Sequence, residues 1–271
     1  MRTSLATTRH MKRLFTENFS IGDIAESLAS FDHAASCTEV TWAMIEKRYR
    51  VVGVRNQGAI VGYVERDDLT EGACGDHVRP FEPDAIVAQS LCFPAAVQLL
   101  TTHSRLFVTT FGQVGGIVTR TDLQKPPARM WLFGMVSIIE MGLVRLIDDR
   151  FPEGSWKDLV PPGRLEKAVA LADERRRRNQ PAEVLDCLQF SDKGQLTLRD
   201  DVLRAQVGYE SRRKGEEMIK GLESLRNNLA HSQDILSCDW ETIVRLTENL
   251  DVIFGERPVP VGGRCSSGER R

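Results

Sequence analysis

The sequence predicts an α+β chain in which a region of short strands and helices precedes an all-helical bundle. Three observations predict it. A strand–turn–strand pattern occurs twice in fixed order before Gln124. After Pro126-Pro127 every long segment has helical apolar spacing. The last stretch, 255–271, holds Gly, Pro, Ser and Arg and almost no large apolar residues. The 271 residues suffice for one large domain or two ordinary ones. A hydrophobic fraction of 41% supports a packed core, and 27% charged residues is ordinary for a soluble protein. The net charge of −2, nearly balanced on either side of Leu123, excludes a basic nucleic-acid-coating module; RNA, if handled, meets a local site.

The first repeat runs from Arg50 to Leu69 and the second from Arg105 to Leu123. Each reads as a short β-branched or aromatic strand, a Gly-containing turn, a second short strand, and the polar start of a helix. Gly62 aligns with Gly116 and Asp68 with Asp122, with one residue's difference expected in the turn. A mixed apolar stretch of helical spacing precedes each: Val40, Trp42, Ala43, Met44 and Ile45, then Ala95, Ala96, Val97, Leu99 and Leu100. A repeat of this size implies two copies of one supersecondary unit packed together.

From about Ile21 to Gln124 this pattern resembles the CBS domain, which occurs as a tandem pair. The segment Leu99 to Leu123 carries the resemblance most strongly. CBS pairs use a Thr or Ser followed three residues later by Asp at the ribose of an adenosine nucleotide, and Thr119 and Asp122 match. The resemblance therefore implies an adenine nucleotide (AMP, ADP, ATP or an S-adenosyl compound) as a regulatory ligand. A carboxylate can accept hydrogen bonds from both ribose hydroxyls, and a threonine hydroxyl can help at the sugar or phosphate. Arg105 and Arg120 are the candidate phosphate partners. The first repeat has Glu65 and Asp68 at the aligned positions; a glutamate there puts negative charge where a phosphate would approach, which favours one working site, at the second repeat. Asp122 also suits an ordinary helix cap.

In the second half, Met130 to Ile147 is nearly all apolar but carries Glu140 and Arg145. A membrane span needs about 20 nearly charge-free residues, so a buried helix and no membrane association are expected. Further helices are expected over Arg164 to Arg178, Pro181 to Leu188, Leu196 to Ala205, Gly208 to His231 and Trp240 to Phe254, with Asp192-Lys193-Gly194-Gln195 as a turn. The domain reading is a 1–20 extension, a 21–125 repeat pair, a 126–254 helical bundle and a 255–271 disordered tail.

The penultimate helix places Met218, Leu222, Leu225 and Leu229 on one face. Beside that seam stands Arg226-Asn227-Asn228-Leu229-Ala230-His231. Arginine is a permanent cation suited to phosphate, and histidine moves protons near neutral pH. Asn227 and His231 are four apart, so the amide can orient the imidazole. Arg226 and His231 are about 140° apart on an ideal helix and do not converge within one straight helix.

The hexapeptide resembles the motif of the HEPN superfamily. These are helical bundles whose ribonuclease members carry Arg, a polar residue, three to five more residues, and His. The resemblance covers about Ala128 to Phe254. It implies a homodimer whose two motifs face a shared cleft, an RNA substrate and no catalytic metal. His231 would be general base or acid at the 2′-hydroxyl or the leaving oxygen, Arg226 would stabilise transition-state charge, and Asn227 would orient His231 or a phosphate oxygen. The products would be a 2′,3′-cyclic phosphate and a 5′-hydroxyl, an activity that suits a toxin or stress effector. HEPN toxins modified by a nucleotidyltransferase carry Tyr two residues after the His; Gln233 stands there, so that modification is not expected. Glu140 is a further candidate, because a lone carboxylate in an apolar helix needs a partner, and Arg226 or Arg145 is available. The bland alternative makes Arg226 a bundle salt-bridge residue and His231 a C-terminal helix cap.

Other features are quieter. The run Glu174-Arg175-Arg176-Arg177-Arg178 reads as a solvated helix end, with RNA backbone contact as a second use. Trp131, Trp156 and Trp240 read as core or interface residues. The six cysteines are scattered, and His10, His33, His77 and His103 form no ligand spacing, so no metal is expected. The N-terminus lacks the apolar core of a signal peptide, and a cytoplasmic protein with free thiols is expected. The function expected is an adenine-nucleotide-regulated, metal-independent endoribonuclease. The alternative is a non-catalytic nucleotide-binding regulatory protein whose helical part dimerises or docks a partner.

Overall fold

The computed structural model describes residues 13, 15, 17–209 and 211–253. The expected tail, 255–271, and residues 1–12 of the expected extension lie outside the described residues. The chain divides into two compact units: Phe19–Ala128, and the described residues on either side of it.

In the first unit the repeat is a β-α-β-β motif, present twice. The first copy is β2 (Ser30–Asp32), α1 (Cys37–Glu46), β3 (Val51–Asn56) and β4 (Ala59–Glu65); the second is β5 (Ile86–Ala88), α2 (Phe93–Thr102), β6 (Arg105–Thr110) and β7 (Gln113–Thr119). In each copy the short leading strand pairs parallel to the next, and the last two form an antiparallel hairpin. A further strand, β1 (Glu26–Ser27), pairs antiparallel with β7, so the sheets run β1-β7-β6-β5 and β2-β3-β4.

The two hairpins superpose in register down to a shared irregularity. Val54 faces Gly62 and Val108 faces Gly116, and the register shifts after Val54 and after Val108. Both turns are two residues with positive φ, Gln57-Gly58 and Phe111-Gly112. That is the conformation whose twist matches the flanking strands, and it explains a glycine at the second position of each. The one-residue difference expected in the turn is therefore absent: Val51, rather than Arg50, is the counterpart of Arg105.

Burial selects part of each predicted apolar stretch. On α1, Val40 and Met44 are fully buried while Trp42 and Ile45 are exposed. On α2, Phe93, Ala96, Val97 and Leu100 are buried. Between the sheets Tyr63, Phe81 and Phe107 form a ring cluster with centroids 4.5–5.9 Å apart, packed with Leu28 and Ala85.

The described elements of the second unit are helical: α3 (Pro126–Arg150), α4 (Pro162–Arg177), α5 (Phe190–Arg199), α6 (Asp201–Gln206), α7 (Arg212–Ala230) and α8 (Leu236–Ile253), with short 3-10 turns between them. Helix α3 is long and apolar enough to cross a membrane by length and composition alone. Its residues Trp131, Leu132, Met135, Ile138 and Ile147 are fully buried, while Met130 and Phe133 are exposed. Ile147 joins Trp156, Val160, Ala168, Leu185, Leu196 and Leu203 in the core of this unit.

Four predicted segments need correction. Pro181 to Leu188 is not a helix; within it only Leu185–Cys187 makes a 3-10 turn. Asp192-Lys193-Gly194-Gln195 is not a turn but the first part of α5. Gly194 sits there because α7 comes so close that a Cβ on it would lie 2.5 Å from Ile219 Cγ2. The helix expected over Leu196 to Ala205 is broken at Asp200, which caps α6 through Val202 and Leu203 N–H. Helix α7 starts at Arg212 rather than Gly208, where the Ser211 side chain accepts from Lys214 N–H.

Candidate functional site

Thr119 ends β7 and Asp122 lies one turn later. Asp122 Oδ2 accepts from the Thr119 backbone N–H at 2.7 Å and from its hydroxyl at 3.0 Å. Asp122 Oδ1 meets Lys125 Nζ at 2.7 Å, and the same ammonium reaches Glu26 Oε1 at 2.9 Å and the Ile24 carbonyl at 2.7 Å. Burial works against the charge on Lys125, but its hydrogen bonds to Asp122 and Glu26 outweigh it, so its pKa stands above the ordinary lysine value. Asp122, 8% exposed, is thus a helix-start cap with one further acceptor direction beside a fixed ammonium.

The candidate phosphate arginines have other partners. Arg105 Nη1 bonds Glu65 Oε1 at 2.6 Å, and its guanidinium lies 5.5 Å from the Tyr63 ring centre. Arg120 Nε donates to the Leu100 carbonyl at 2.8 Å and Nη2 to that of Thr101 at 3.3 Å, closing the C-terminus of α2. In the first repeat, Arg79 binds Glu65 at 3.2 Å and Asp68 Oδ1 at 2.6 Å. Asp68 Oδ2 is buried and accepts no hydrogen bond from the described residues. Elsewhere in this unit His103 Nδ1 lies 3.4 Å from Glu82 and Nε2 3.3 Å from Asp84, a cluster that sequence spacing conceals. Each carboxylate faces a different ring nitrogen of His103.

In the helical unit, Met218, Leu222, Leu225 and Leu229 are buried along α7, as their spacing requires, while Arg226, Asn227 and His231 are exposed. His231 is the residue that ends α7, its backbone N–H donating to the Asn227 carbonyl at 3.0 Å. That backbone bond is the contact between the two; among the described residues no side chain hydrogen-bonds the imidazole. Asn228 donates to Asp239 Oδ2 at 2.8 Å, and Asp239 is 1% exposed. Arg129 supplies the cation at this helix end, bonding the Asn228, Leu229 and Gln233 carbonyls at 2.9–3.3 Å. Its role carries no motif and is invisible without the fold.

Glu140 Oε2 faces Arg226 Nε at 3.8 Å, while Oε1 takes Lys193 Nζ at 2.7 Å. Arg145 instead pairs with Asp149 at 3.4 Å. Lys193 was concealed in the sequence by the apparent turn around it. Glu140 and Lys193 line a cleft of about 840 Å³, whose other walls include Arg145, Asp148, Lys157, Arg176 and Asp186. The arginine run at the end of α4 is largely engaged locally: Arg177 and Arg178 pair with Glu174, and Arg176 with Asp173.

No family model and no curated protein matches the chain. Its N-terminal two-fifths are similar to solved CBS domain pairs. The CBS-pair protein CBSX2 from Arabidopsis thaliana is 22% identical over 39% of this chain and 91% of its own, with a TM-score of 0.34. CBSX2 in complex with AMP is 23% identical over 39% and 92%, with a TM-score of 0.35. The CBS domain of the bacterial CNNM/CorC family Mg2+ transporter in complex with ATP is 18% identical over 43% and 91%, with a TM-score of 0.35.

Proposed function

We propose that the chain is a two-module protein: an N-terminal CBS-type pair that binds an adenine nucleotide, and a C-terminal HEPN-type bundle that cleaves RNA without a metal, as a homodimer. The observation that carries the catalytic half is the presentation of Arg226, Asn227 and His231 to solvent at the last turn of a helix whose other face is buried. Arg226 is oriented by a carboxylate and makes no hydrogen bond among the described residues. A guanidinium with open donors is suited to a phosphodiester, and an exposed imidazole to moving the proton of a 2′-hydroxyl.

His231 takes the 2′-hydroxyl proton or protonates the 5′-oxygen leaving group. Arg226 stabilises the charge that accumulates on the phosphorus oxygens. The 2′-oxygen forms the new bond to phosphorus as the 5′-oxygen departs, leaving a 2′,3′-cyclic phosphate. Because Arg226 and His231 diverge around α7, the second subunit completes the constellation.

The test is cleavage of a fluorescent RNA in EDTA by the parent, Arg226→Ala and His231→Ala. Each variant is expected to lose about 10²-fold or more in rate, the scale of a general acid–base contribution. Equal rates in all three would sink the ribonuclease reading. They would leave the second reading, a non-catalytic nucleotide-binding regulator, which the closure of α7 by His231 favours.

A further inference from the structure

Lys193 is 3% exposed, yet it carries an ammonium. Its Nζ lies 2.7 Å from Glu140 Oε1 and 3.4 Å from the Asp186 carbonyl. A buried ion costs several kcal/mol unless it is paired and hydrogen-bonded, and these partners meet that condition. The pair is neutral overall. Glu140's second oxygen is turned to Arg226, whose Nε at 3.8 Å stands outside hydrogen-bond reach. Arg226 is 44% exposed and Glu140 23%, so the carboxylate is shielded on the lysine side and open on the arginine side.

We propose that Lys193 is the positioning residue of a phosphodiester-binding site at Arg226: by neutralising Glu140, it lets that carboxylate orient the guanidinium without consuming its charge. The inference rests on Arg226 being the phosphate-holding cation. Two cations share one carboxylate, and the net positive charge of the trio resides on the exposed member. Without Lys193, Glu140 is an unpaired half-buried anion and Arg226 closes onto it, turning an open cation into an ordinary salt bridge.

The experiment measures binding of a 2′-O-methyl oligoribonucleotide, which lacks the attacking hydroxyl, by fluorescence anisotropy in EDTA. Thermal unfolding is followed in parallel. Lys193→Met is expected to weaken binding about tenfold, an effect within the usual coupling range of one ion network. Adding Glu140→Gln to Lys193→Met restores affinity to within about threefold of the parent, because Arg226 no longer has an anion to close on. In an Arg226→Ala background Lys193→Met changes nothing further, which a merely structural lysine would not achieve. Should Lys193→Met fail to fold, the double variant carries the test, and a tenfold loss of its affinity overturns the proposal. Parental binding by a folded Lys193→Met, or additive losses with Arg226→Ala, also overturns it. If the parent binds the oligonucleotide with this pattern but does not cleave ordinary RNA, the ribonuclease reading falls and the phosphodiester site stands. If the parent does not bind at all, both fall.

Discussion

Between α5 and α6 the chain turns at Asp200, whose Oδ1 accepts from Val202 N–H at 3.0 Å and Leu203 N–H at 2.9 Å, while Oδ2 meets Arg150 Nε at 3.0 Å. The bond from Leu203 first, and the Arg150 guanidinium after it, hold the carboxyl below the ordinary aspartate value against the opposing effect of burial. A depressed carboxyl stabilises the fold above its unfolded pKa, near 4, and that contribution disappears as pH falls through the folded value. Asp200→Ala is therefore expected to cost about 1 kcal/mol at pH 7 in urea melts, as loss of a cap does. The gap from the parent should narrow steadily below about pH 4, and a pH-independent gap would refute the assignment. Asp122 is the comparable case at the proposed nucleotide site. Thr119-x-x-Asp122 is legible in the sequence both as a ribose motif and as a cap, because the two uses need the same groups. Lys125 on its other oxygen is not legible, since lysines near helix starts are commonplace. Calorimetry with AMP, ATP and S-adenosylmethionine should show at least about a tenfold affinity loss in Asp122→Ala, as a lost charged hydrogen bond predicts. Unchanged affinity would remove Asp122 from the site.

At the scale of elements, what reads clearly is what has a period. The hairpins β3–β4 and β6–β7 are visible because strand residues, a Gly-containing turn and a second strand recur together. Strands β2 and β5 are three residues each, too short for any alternation to show, and their pairing comes from the crossover through α1 and α2. Gly194 misleads for a different reason. Glycine marks turns in sequence, but here it marks the close approach of α5 and α7, two helices that exchange side chains. Ile219 of α7 packs over Gly194, and Leu198 of α5 packs over Gly215. Alanine improves helix propensity by about 1 kcal/mol, yet a Cβ at Gly194 would meet three Ile219 atoms at 2.5–2.8 Å. Gly194→Ala is thus expected to destabilise by roughly 1–3 kcal/mol, overpacking outweighing propensity. At Gly215 the nearest atom is Leu198 Cδ2, the end of a flexible side chain, with the next two at 3.1–3.2 Å. Gly215→Ala should cost less. Chemical denaturation of both variants checks the order, and a stabilised Gly194→Ala would contradict the packing argument.

At the scale of the whole molecule, the proposed ribonuclease raises the question of how Arg226 and His231 would act on one phosphate. An ideal helix would separate them by about 140°; within the described chain each has its own structural setting, Arg226 beside Glu140 and His231 as the non-helical cap residue that follows Ala230 at the end of α7. A twofold dimer with α7 near its axis resolves this, since an isologous interface presents each motif to its symmetry mate. In the proposed dimer the site would take Arg226 from one subunit and His231 from the other. This arrangement makes a prediction that a site within one chain does not. Arg226→Ala dimers lack the cation at both sites, and His231→Ala dimers lack the imidazole at both, so each variant alone is expected to fall about 10²-fold or more. A mixed dimer has one site with both residues lost and one with both intact. Co-expressed in equal amounts, with free subunit exchange, half of the dimers are mixed and each carries one working site of two. Activity should return to about a quarter of the parent, the proportion set by symmetric pairing. If both residues of a site came from the same chain, every site in the mixture would lack one group and cleavage would stay at the level of the single variants. Tagging the two variants differently and isolating the mixed dimer sharpens the comparison to one half against none.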